Sequence, residues 1–305
     1  MKSNIFGSLI WLIFILLSIS THMIIKSLTG DVDFIVILLS RFVYSLPPLF
    51  IIAYLSRKMF FLKINNWKNI FLRSFFGFVT MVMVFSSLQL IPIGLTTALA
   101  QSSAIYVTIL SPFFLGEKIG YIRWIAVITG LLGVFLMIDP ISIIQQTTDL
   151  SSLGICLGFG SALTHAVLSV ILRKIGKTEH PATTALMHNL ITSLIITFSI
   201  ILFGTKFYGI SGKIGIEVFY DLNNFIYILI FLGFLGSFVQ YLMAQSYKHA
   251  EATILVTLRY LAIPLAVILG YIIWDEIPSI NQLIGGIVVI ISCLLITYRE
   301  FKKSN

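Results

Sequence analysis

The chain has 305 residues, of which 58% are apolar and only 10% are charged, and its net charge is +8. Soluble globular domains carry about 25% charged residues, so this composition excludes a soluble domain and indicates an integral membrane protein. The basic excess does not predict a nucleic-acid partner, because the basic residues lie in short loops between apolar windows, where they set orientation. Cys156 and Cys293 lie inside apolar windows without metal-type spacing, so no disulfide, metal or cofactor is expected.

Ten apolar windows, each close to the length of about 20 residues that one bilayer crossing needs, divide the chain. Alternation with a period of two is absent, which disfavours an outer-membrane β-barrel. We therefore predict an all-α integral membrane protein with ten transmembrane helices. Their predicted ranges are Ile5–Ile25, Phe34–Leu55, Ile70–Leu90, Ile93–Leu115, Trp124–Ile138, Leu153–Leu172, Ala182–Phe203, Phe225–Ser246, Ala252–Trp274 and Ile280–Tyr298.

The basic residues predict how these helices are oriented. With a cytoplasmic N-terminus, 15 of the 20 Lys and Arg residues fall on the cytoplasmic side, Arg73 among them, and 3 fall on the opposite side. Arg41 and Arg259 lie within windows. Since Lys and Arg concentrate in cytoplasmic loops, both termini are expected to be cytoplasmic. The expected location is the plasma membrane, which in a bacterium is the inner membrane, with multiple crossings.

A weak repeat runs through the whole chain. Glu117 and Glu276 each follow an apolar window, and their offset (276 − 117 = 159) also pairs Gly77 with Gly236. A fixed spacing between otherwise unlike sequences is typical of a duplicated transporter. We predict a first five-helix repeat over 1–148 and a second over 149–305. Because five is odd, the second repeat is expected to be inverted in the membrane relative to the first.

Helices one, two, six and seven carry ionisable groups inside their windows. His22 and His165 are each preceded by a threonine, and both are candidate binding residues, although such polar groups also bond within their own helix or across a close helix contact. Arg41 lies about 12 Å inside helix two and either faces a cavity or snorkels to the interface. His188 is predicted to be a buried histidine whose hydrogen bonds are made within the protein. The Pro47–Pro48 pair predicts a kink in helix two.

Helices three, four, eight and nine are the most polar, and a polar stripe along a whole helix is expected to face a cavity or another helix. The 159-residue offset pairs Gln101 with Tyr260, so we predict that these two face each other across a pathway. Glycines in helices five and ten predict close helix packing or self-association. The candidate binding residues on helices four, eight and nine are Thr97, Gln101, Tyr106, Gln240, Tyr241, Thr257, Arg259 and Tyr260.

The two helix-end motifs resemble those of a known family. The run Ser111-Pro112-Phe113-Phe114-Leu115-Gly116-Glu117, with its echo from Pro264 to Glu276, is similar to the helix ends of EamA-type carriers of the drug/metabolite transporter superfamily. The resemblance covers essentially the whole chain, and it departs where Ile105 stands opposite Pro264 and Asp275 opposite Gly116. It implies alternating access of small metabolites through a cavity lined mainly by helices three, four, eight and nine, with one and six near by. The gate motifs would then include Pro112, Glu117, Pro264 and Glu276.

Function follows partly from the residues themselves. No P-loop motif occurs, so the chain is expected to be a secondary transporter, not an ATP-hydrolysing one. If Arg41 or Arg259 faces the cavity, a carboxylate or phosphate is the natural ligand. Candidate substrates are an amino acid or a derivative such as S-adenosylmethionine, or alternatively riboflavin, nucleotide conjugates or lipophilic drugs. An intramembrane enzyme or a channel is disfavoured, because no catalytic pairing or filter motif is present. The expected partners are an anionic or zwitterionic small molecule, the lipid bilayer and a second copy of the chain.

Overall fold

A computed structural model describes residues 2–28, 31–58, 61–117, 120–138, 151–203, 225–275 and 277–304. Within these ranges every regular element is a helix and no strand occurs. Glu276, one of the predicted gate residues, lies outside the described residues. The all-α architecture predicted from composition is therefore confirmed for the part of the chain that the structure describes.

Thirteen α-helices are found in the described ranges. With three broken pairs taken as single spans, eight spans are long and apolar enough to cross a bilayer. The helices α7 and α13 contain shorter apolar stretches, so the count of ten crossings stays a prediction. The bounds are α1 Lys2–Ser27, α2 Phe34–Val43, α3 Leu46–Arg57, α4 Trp67–Leu90, α5 Ile93–Gln101, α6 Ser103–Leu115, α7 Tyr121–Ile138, α8 Ser152–Ile175, α9 Pro181–Phe203, α10 Ile226–His249, α11 Ala252–Leu258, α12 Ala262–Trp274 and α13 Ile280–Ser304.

The second predicted span breaks where the prolines begin. α2 ends at Val43, and α3 starts at Leu46 with proline in its first turn. The N–H groups of a first turn have no partner within the helix, so the N–H that proline lacks costs no helical hydrogen bond there. Between them, Ser45 Oγ lies 2.6 Å from the Phe42 carbonyl oxygen and 2.8 Å from Asn189 Oδ1. The kink predicted from the proline pair is thus present just before it.

Two further breaks occur at equivalent positions of the two halves. The fourth span is interrupted at Ser102, between α5 and α6, and the ninth by a 3-10 turn over Arg259–Leu261, so Ser102 and Leu261 are 159 positions apart. The ends match as well, because Gly116 (φ 66°) and Asp275 (φ 52°) both terminate their helices in the left-handed region. Aspartate tolerates that region better than most residues, which explains how it replaces the glycine.

The glycines of α7 and α13 serve packing within the chain. A Cβ at Gly133 would lie 2.8 Å from the Gly285 carbonyl oxygen and 2.9 Å from Val289 Cγ2. Ser292 Oγ donates a hydrogen bond to the Ala126 carbonyl, which joins the same two helices. Small residues let the backbones approach this closely. Of the two predicted roles, the structure therefore fills the packing role, and self-association stays a prediction.

Candidate functional site

A central cavity lies among α1, α2, α4, α8, α9 and α10, beside the turn that begins at Arg259. Apolar side chains such as Phe14, Met81 and Leu168 form part of its wall. The described residues that line it include three arginines and three histidines but no aspartate or glutamate. Its polar lining consists of Ser18, Thr21, His22, Arg41, Arg73, Thr80, His165, His188, Gln240 and Arg259.

Arg41 and Arg73 are both 1% exposed, although a guanidinium is costly to remove from water. On each of them, Nε and Nη1 are buried without a hydrogen-bond partner among the described residues. Arg73 Nη2 donates to Gln240 Oε1 at 3.0 Å, and the Arg41 guanidinium lies 5.6 Å and 5.9 Å from the rings of Phe42 and Phe85. Of the two alternatives for Arg41, the cavity position is confirmed and snorkelling is wrong. Both arginines therefore line the cavity with guanidinium nitrogens that donate to no described residue.

Two glycines make room for the ionisable side chains. A Cβ at Gly236 of α10 would lie 3.3 Å from Arg41 Nη1, and one at Gly77 of α4 would lie 2.7 Å from His188 Cε1. Gly77 and Gly236 are the pair related by the 159-residue offset. Gly236 in the eighth predicted span therefore accommodates Arg41 of the second span, and Gly77 in the third span accommodates His188 of the seventh span. Larger residues at these positions would displace the groups that line the cavity.

Arg259 enters the cavity from the break in the ninth span. It begins the 3-10 turn Arg259–Leu261, and its Nη1 contacts His165 Nε2 of α8. Of the other two cavity histidines, His188 is buried with its ring 5.6 Å from that of Phe42, and His22 is half-buried with its ring 6.0 Å from that of Phe85. The prediction that His188 is buried is confirmed, and the side chain also lines the cavity.

A second cavity adjoins the first and shares His22 and Arg259 with it. Thr96, Thr97 and Gln101 supply its further polar groups. Gln101 is 1% exposed and its Oε1 has no hydrogen-bond partner among the described residues. Thr97 Oγ1 donates to the Ile93 carbonyl at 2.7 Å, so its lone pairs are what it can offer to a ligand. These side-chain oxygens are hydrogen-bond acceptors, whereas the first cavity is rich in donors.

The structure brings together seven of the candidate binding residues predicted from the sequence. Arg41, His22, His165, Gln240 and Arg259 line the first cavity, while Thr97 and Gln101 line the second. The predicted lining was mainly by helices three, four, eight and nine, with one and six near by. Helices one and six do line the first cavity, but helices two and seven line it as well, and helix four contributes only to the second.

The other four candidates do not line either cavity. Tyr106 is 38% exposed on the surface of α6, and Tyr241 packs among apolar side chains while its hydroxyl accepts from Gln245 Nε2 at 2.8 Å. Thr257 Oγ1 donates back to the Thr253 carbonyl at 2.8 Å, as a threonine in a helix commonly does. Each of these three side chains has a local environment that the helical face alone did not reveal.

Tyr260 requires a specific correction. It is 0% exposed, and its ring lies against α7, where a Cβ at Gly130 would come within 2.3 Å of Tyr260 Cε2. Its hydroxyl points to the Val127 carbonyl at 3.5 Å. The predicted pairing of Gln101 with Tyr260 across a pathway is therefore not found, because the 3-10 turn directs Arg259 into the cavity and Tyr260 toward α7.

Sequence reasoning missed Arg73. Its charge was assigned to a cytoplasmic loop, whereas α4 begins at Trp67 and carries Arg73 inward to the cavity. The predicted window Ile70–Leu90 already contained this residue, and that position was the available signal. An ionisable side chain inside a predicted span is a functional candidate by default.

Glu117 and its neighbours form a polar cluster at the opposite end of α11 from Arg259. Glu117 accepts hydrogen bonds from the Ala252 N–H at 3.0 Å and the Thr253 hydroxyl at 3.3 Å, and Arg173 Nε lies 3.5 Å away. Burial raises the pKa of Glu117 above its ordinary value, partly offset by these hydrogen bonds and by Arg173. The glutamate of the first motif thus binds the N-terminus of a helix from the second half, as expected for an anion at a helix N-terminus.

The other motif residues take up structural positions. Pro112 is exposed inside α6, and Pro264 is half-buried in the first turn of α12.

Arg123 forms an ion pair with Glu251 and donates to Thr253 Oγ1 at 3.2 Å. None of the described residues forms a cluster that could hold a metal ion.

Comparison with known proteins identifies relatives of this chain. It is 26% identical over 215 residues to a riboflavin transporter of Vibrio cholerae, covering 70% of this chain and 66% of the relative. It is 25% identical over 219 residues to an S-adenosylmethionine uptake transporter of Rickettsia conorii, covering 72% and 67% respectively. A pseudopaline exporter of Pseudomonas aeruginosa, CntI, is 22% identical over 233 residues, covering 74% and 73%. The matches to the first two span about two thirds of those relatives' length.

A crystal structure shares the fold. It superposes with a TM-score of 0.75 over 99% of this chain and 100% of its own, at 20% sequence identity. The model of the EamA-like transporter family matches residues 5–139 and again residues 152–298. The relatives above are named as transporters and not as enzymes. The chain is therefore a member of the EamA-like transporter family, a multi-pass membrane protein that transports a small molecule.

Proposed function

We propose that this protein is a secondary carrier that moves a small carboxylated metabolite, an amino acid or an amino-acid derivative, by alternating access. In this proposal the repeats 1–148 and 149–305 are inverted relative to each other, and the cavity between them opens to one side at a time. The protein lies in the plasma membrane with both termini in the cytoplasm. The single observation that carries the proposal is a cavity with Arg41, Arg73 and Arg259 and no acidic side chain among its described lining residues.

Electrostatics supports an anionic ligand group. A buried guanidinium is expensive unless a charge or several hydrogen bonds compensate it, and here Arg41 and Arg73 each keep two buried N–H-bearing nitrogens unused. A carboxylate accepts bidentate hydrogen bonds from a guanidinium, and hydrogen bonds to charged groups contribute about 1.5–3 kcal/mol each. A carboxylated substrate would therefore supply the compensation that the protein itself lacks.

The second cavity supports an amino group on the same substrate. Gln101 Oε1 and the Thr97 lone pairs are acceptors to which an ammonium group could donate. With the carboxylate at the arginines and the ammonium near Gln101, an amino acid would meet complementary groups at both ends.

The candidate substrates differ in how well they match these charges. S-adenosylmethionine has the carboxylate and ammonium but adds a positive sulfonium, which three arginines would repel. Riboflavin has no charged group to compensate them, whereas a nucleotide conjugate would pair through its phosphates. An amino acid without an additional positive charge therefore fits best, and export of nucleotide conjugates is the second candidate.

The test is thermal stabilisation of the detergent-solubilised protein by a panel of amino acids, S-adenosylmethionine, riboflavin and nucleotides, each carboxylate being compared with its methyl ester. A ligand that binds only the folded state stabilises it by about 2.7 kcal/mol at 100 times its Kd. We expect stabilisation by a free amino acid, its loss with the ester and its loss in Arg73→Gln. Lys68→Gln, which removes an exposed charge outside the cavity, is the matched control. Equal stabilisation by acid and ester would overturn the proposal.

A further inference from the structure

Two of three polar residues on one face of α8 contact the ends of the segment that presents Arg259, one directly and one through Glu117. His165, Ser169 and Arg173 are spaced four apart, so they lie above one another on the same side of the helix. At one end, His165 contacts Arg259 in the cavity, and at the other, Arg173 lies beside Glu117. The short helix α11 runs between these two points, because Glu117 binds its start at Ala252 and Arg259 directly follows its end.

The hydrogen bonds around His165 define which of its nitrogens carries the proton. A guanidinium only donates, so His165 Nε2, which contacts Arg259 Nη1, must accept and the ring must be neutral. The proton is then on Nδ1, which lies 3.3 Å from Ser169 Oγ. Neutral imidazole in water favours the opposite arrangement, with the proton on Nε2. The neighbours of His165 therefore impose this tautomer.

Ser169 has the bonding capacity that this arrangement needs. Its hydroxyl donates to the His165 carbonyl at 2.8 Å and receives the Tyr247 hydroxyl at 2.8 Å. A serine hydroxyl has one donor and two acceptor positions. These two bonds use the donor and one acceptor position of Ser169, and the second acceptor position takes the His165 Nδ1–H. Tyr247 is 0% exposed and packs edge-on against Trp11 at 5.4 Å, which fixes its hydroxyl. The orientation of the imidazole is thus determined by groups that do not line the cavity.

We propose that His165, oriented by Ser169 and Tyr247, is a positioning residue that presents the Arg259 guanidinium to the substrate. This inference rests on the proposed function, because it assigns how one arginine of that site is held. His165 Nε2 accepts one N–H of Arg259, whose side chain lines both cavities. A neutral acceptor does this without the salt bridge that a carboxylate would form, so the arginine keeps its charge for the substrate.

The first arm of the test needs no ligand. Nitrogen-15 NMR of histidine-labelled protein separates the two tautomers, and the His165 signal is assigned by its loss in His165→Gln among the five histidines of the chain. We expect the Nδ1-protonated form in the wild type and in Tyr247→Phe, where Arg259 still donates to Nε2, and a shift toward the Nε2-protonated form in Arg259→Gln. An Nε2-protonated or doubly protonated His165 in the wild type would overturn the inference.

The second arm measures binding of the carboxylated compound from the amino-acid and S-adenosylmethionine panel that stabilises the wild type most. His165→Gln keeps an acceptor at the reach of Nε2 and should stay within about threefold of the wild-type affinity. His165→Leu and His165→Asn lack that acceptor and should bind at least tenfold more weakly. In the Arg259→Gln background, His165→Leu should cause no further loss, because the residue acts through the arginine.

The two arms separate the possible failures. If no compound of the panel stabilises the wild type while His165 carries its proton on Nδ1, the proposed function fails and the positioning geometry stands. If binding is strong but His165→Leu and His165→Gln weaken it equally, or if the losses add in the double variant, the positioning role is wrong and the proposed function stands. Unfolding temperatures of all variants, measured without ligand, show that a loss of affinity is not a loss of fold.

Discussion

Replacing Arg41 by methionine should leave the empty protein as stable as the wild type or make it more stable, while it weakens ligand binding. The side chain is 1% exposed, and its Nε and Nη1 have no hydrogen-bond partner among the described residues. What the substitution loses within the protein is the contact with the rings of Phe42 and Phe85, which contributes about 0.5–2 kcal/mol. What it removes is a desolvation cost of several kcal/mol.

The magnitudes follow from these contacts. The free energy of unfolding without ligand should be unchanged or raised by up to about 4 kcal/mol, the upper value found when buried ion pairs are replaced by apolar side chains of similar volume. Loss of one charge-assisted hydrogen bond to a carboxylate, about 1.5–3 kcal/mol, weakens binding about 10- to 150-fold, since 1.4 kcal/mol corresponds to a factor of ten. Thermal unfolding with and without an amino acid of the panel measures both quantities in one assay.

Arg123→Met is the control, because it should change the stability of the empty protein in the opposite direction. Arg123 is also 1% exposed, but it forms an ion pair with Glu251 and a hydrogen bond to Thr253, so its removal should destabilise the empty protein. It lies outside both cavities, and ligand-induced stabilisation should persist in this variant. If Arg41→Met destabilises the empty protein as much as Arg123→Met and keeps its full ligand response, Arg41 is a structural residue and the electrostatic reasoning is refuted.

Three further outcomes are expected. Gly236→Val should weaken ligand binding by displacing the Arg41 guanidinium, which an added Cβ would already approach to 3.3 Å; isothermal titration that finds unchanged affinity would contradict this. Burial raises the pKa of Glu117, so the folded state holds its proton more tightly than the unfolded chain does. The unfolding temperature should therefore fall as pH rises from about 4, the ordinary value, through the raised pKa, and Glu117→Gln should lack that fall when unfolding is followed across pH. Gly130→Ala should destabilise the protein by about 1–3 kcal/mol, because its Cβ would lie 2.3 Å from Tyr260 Cε2, and chemical denaturation that shows no loss would contradict this packing.

Hydropathy and spacing predicted the coarse fold because the bilayer imposes them. An apolar window of about 20 residues has few alternatives to a helix. The two left-handed helix ends and the two helix breaks, which the sequence did not predict, lie at positions related by the same 159-residue offset. Spacing could not predict the direction of individual side chains next to a break. A 3-10 turn rotates the chain differently from an α-helix, which is why Arg259 faces the cavity and its neighbour Tyr260 does not.

The site was predictable where a charge lay deep in a window and less so at the window's edge. Arg41 was a candidate because no loop could be assigned to it, whereas Arg73 lies near the start of α4 and was assigned to a loop. The contacts of Glu117 with α11 depend on residues 135 and 136 positions away, and no local pattern encodes such a distance. Long-range pairs of this kind follow from tertiary packing alone.

Counterflow in proteoliposomes tests the central claim most directly. Vesicles loaded with an unlabelled amino acid from the panel are diluted into the labelled compound, and uptake is compared between the wild type, Arg73→Gln and Lys68→Gln. The account predicts saturable uptake that is stimulated by the internal amino acid, is not stimulated by its methyl ester, is lost in Arg73→Gln and is kept in Lys68→Gln. Uptake that the ester supports equally well, or that survives in Arg73→Gln, would contradict recognition of a carboxylate by the arginine cavity.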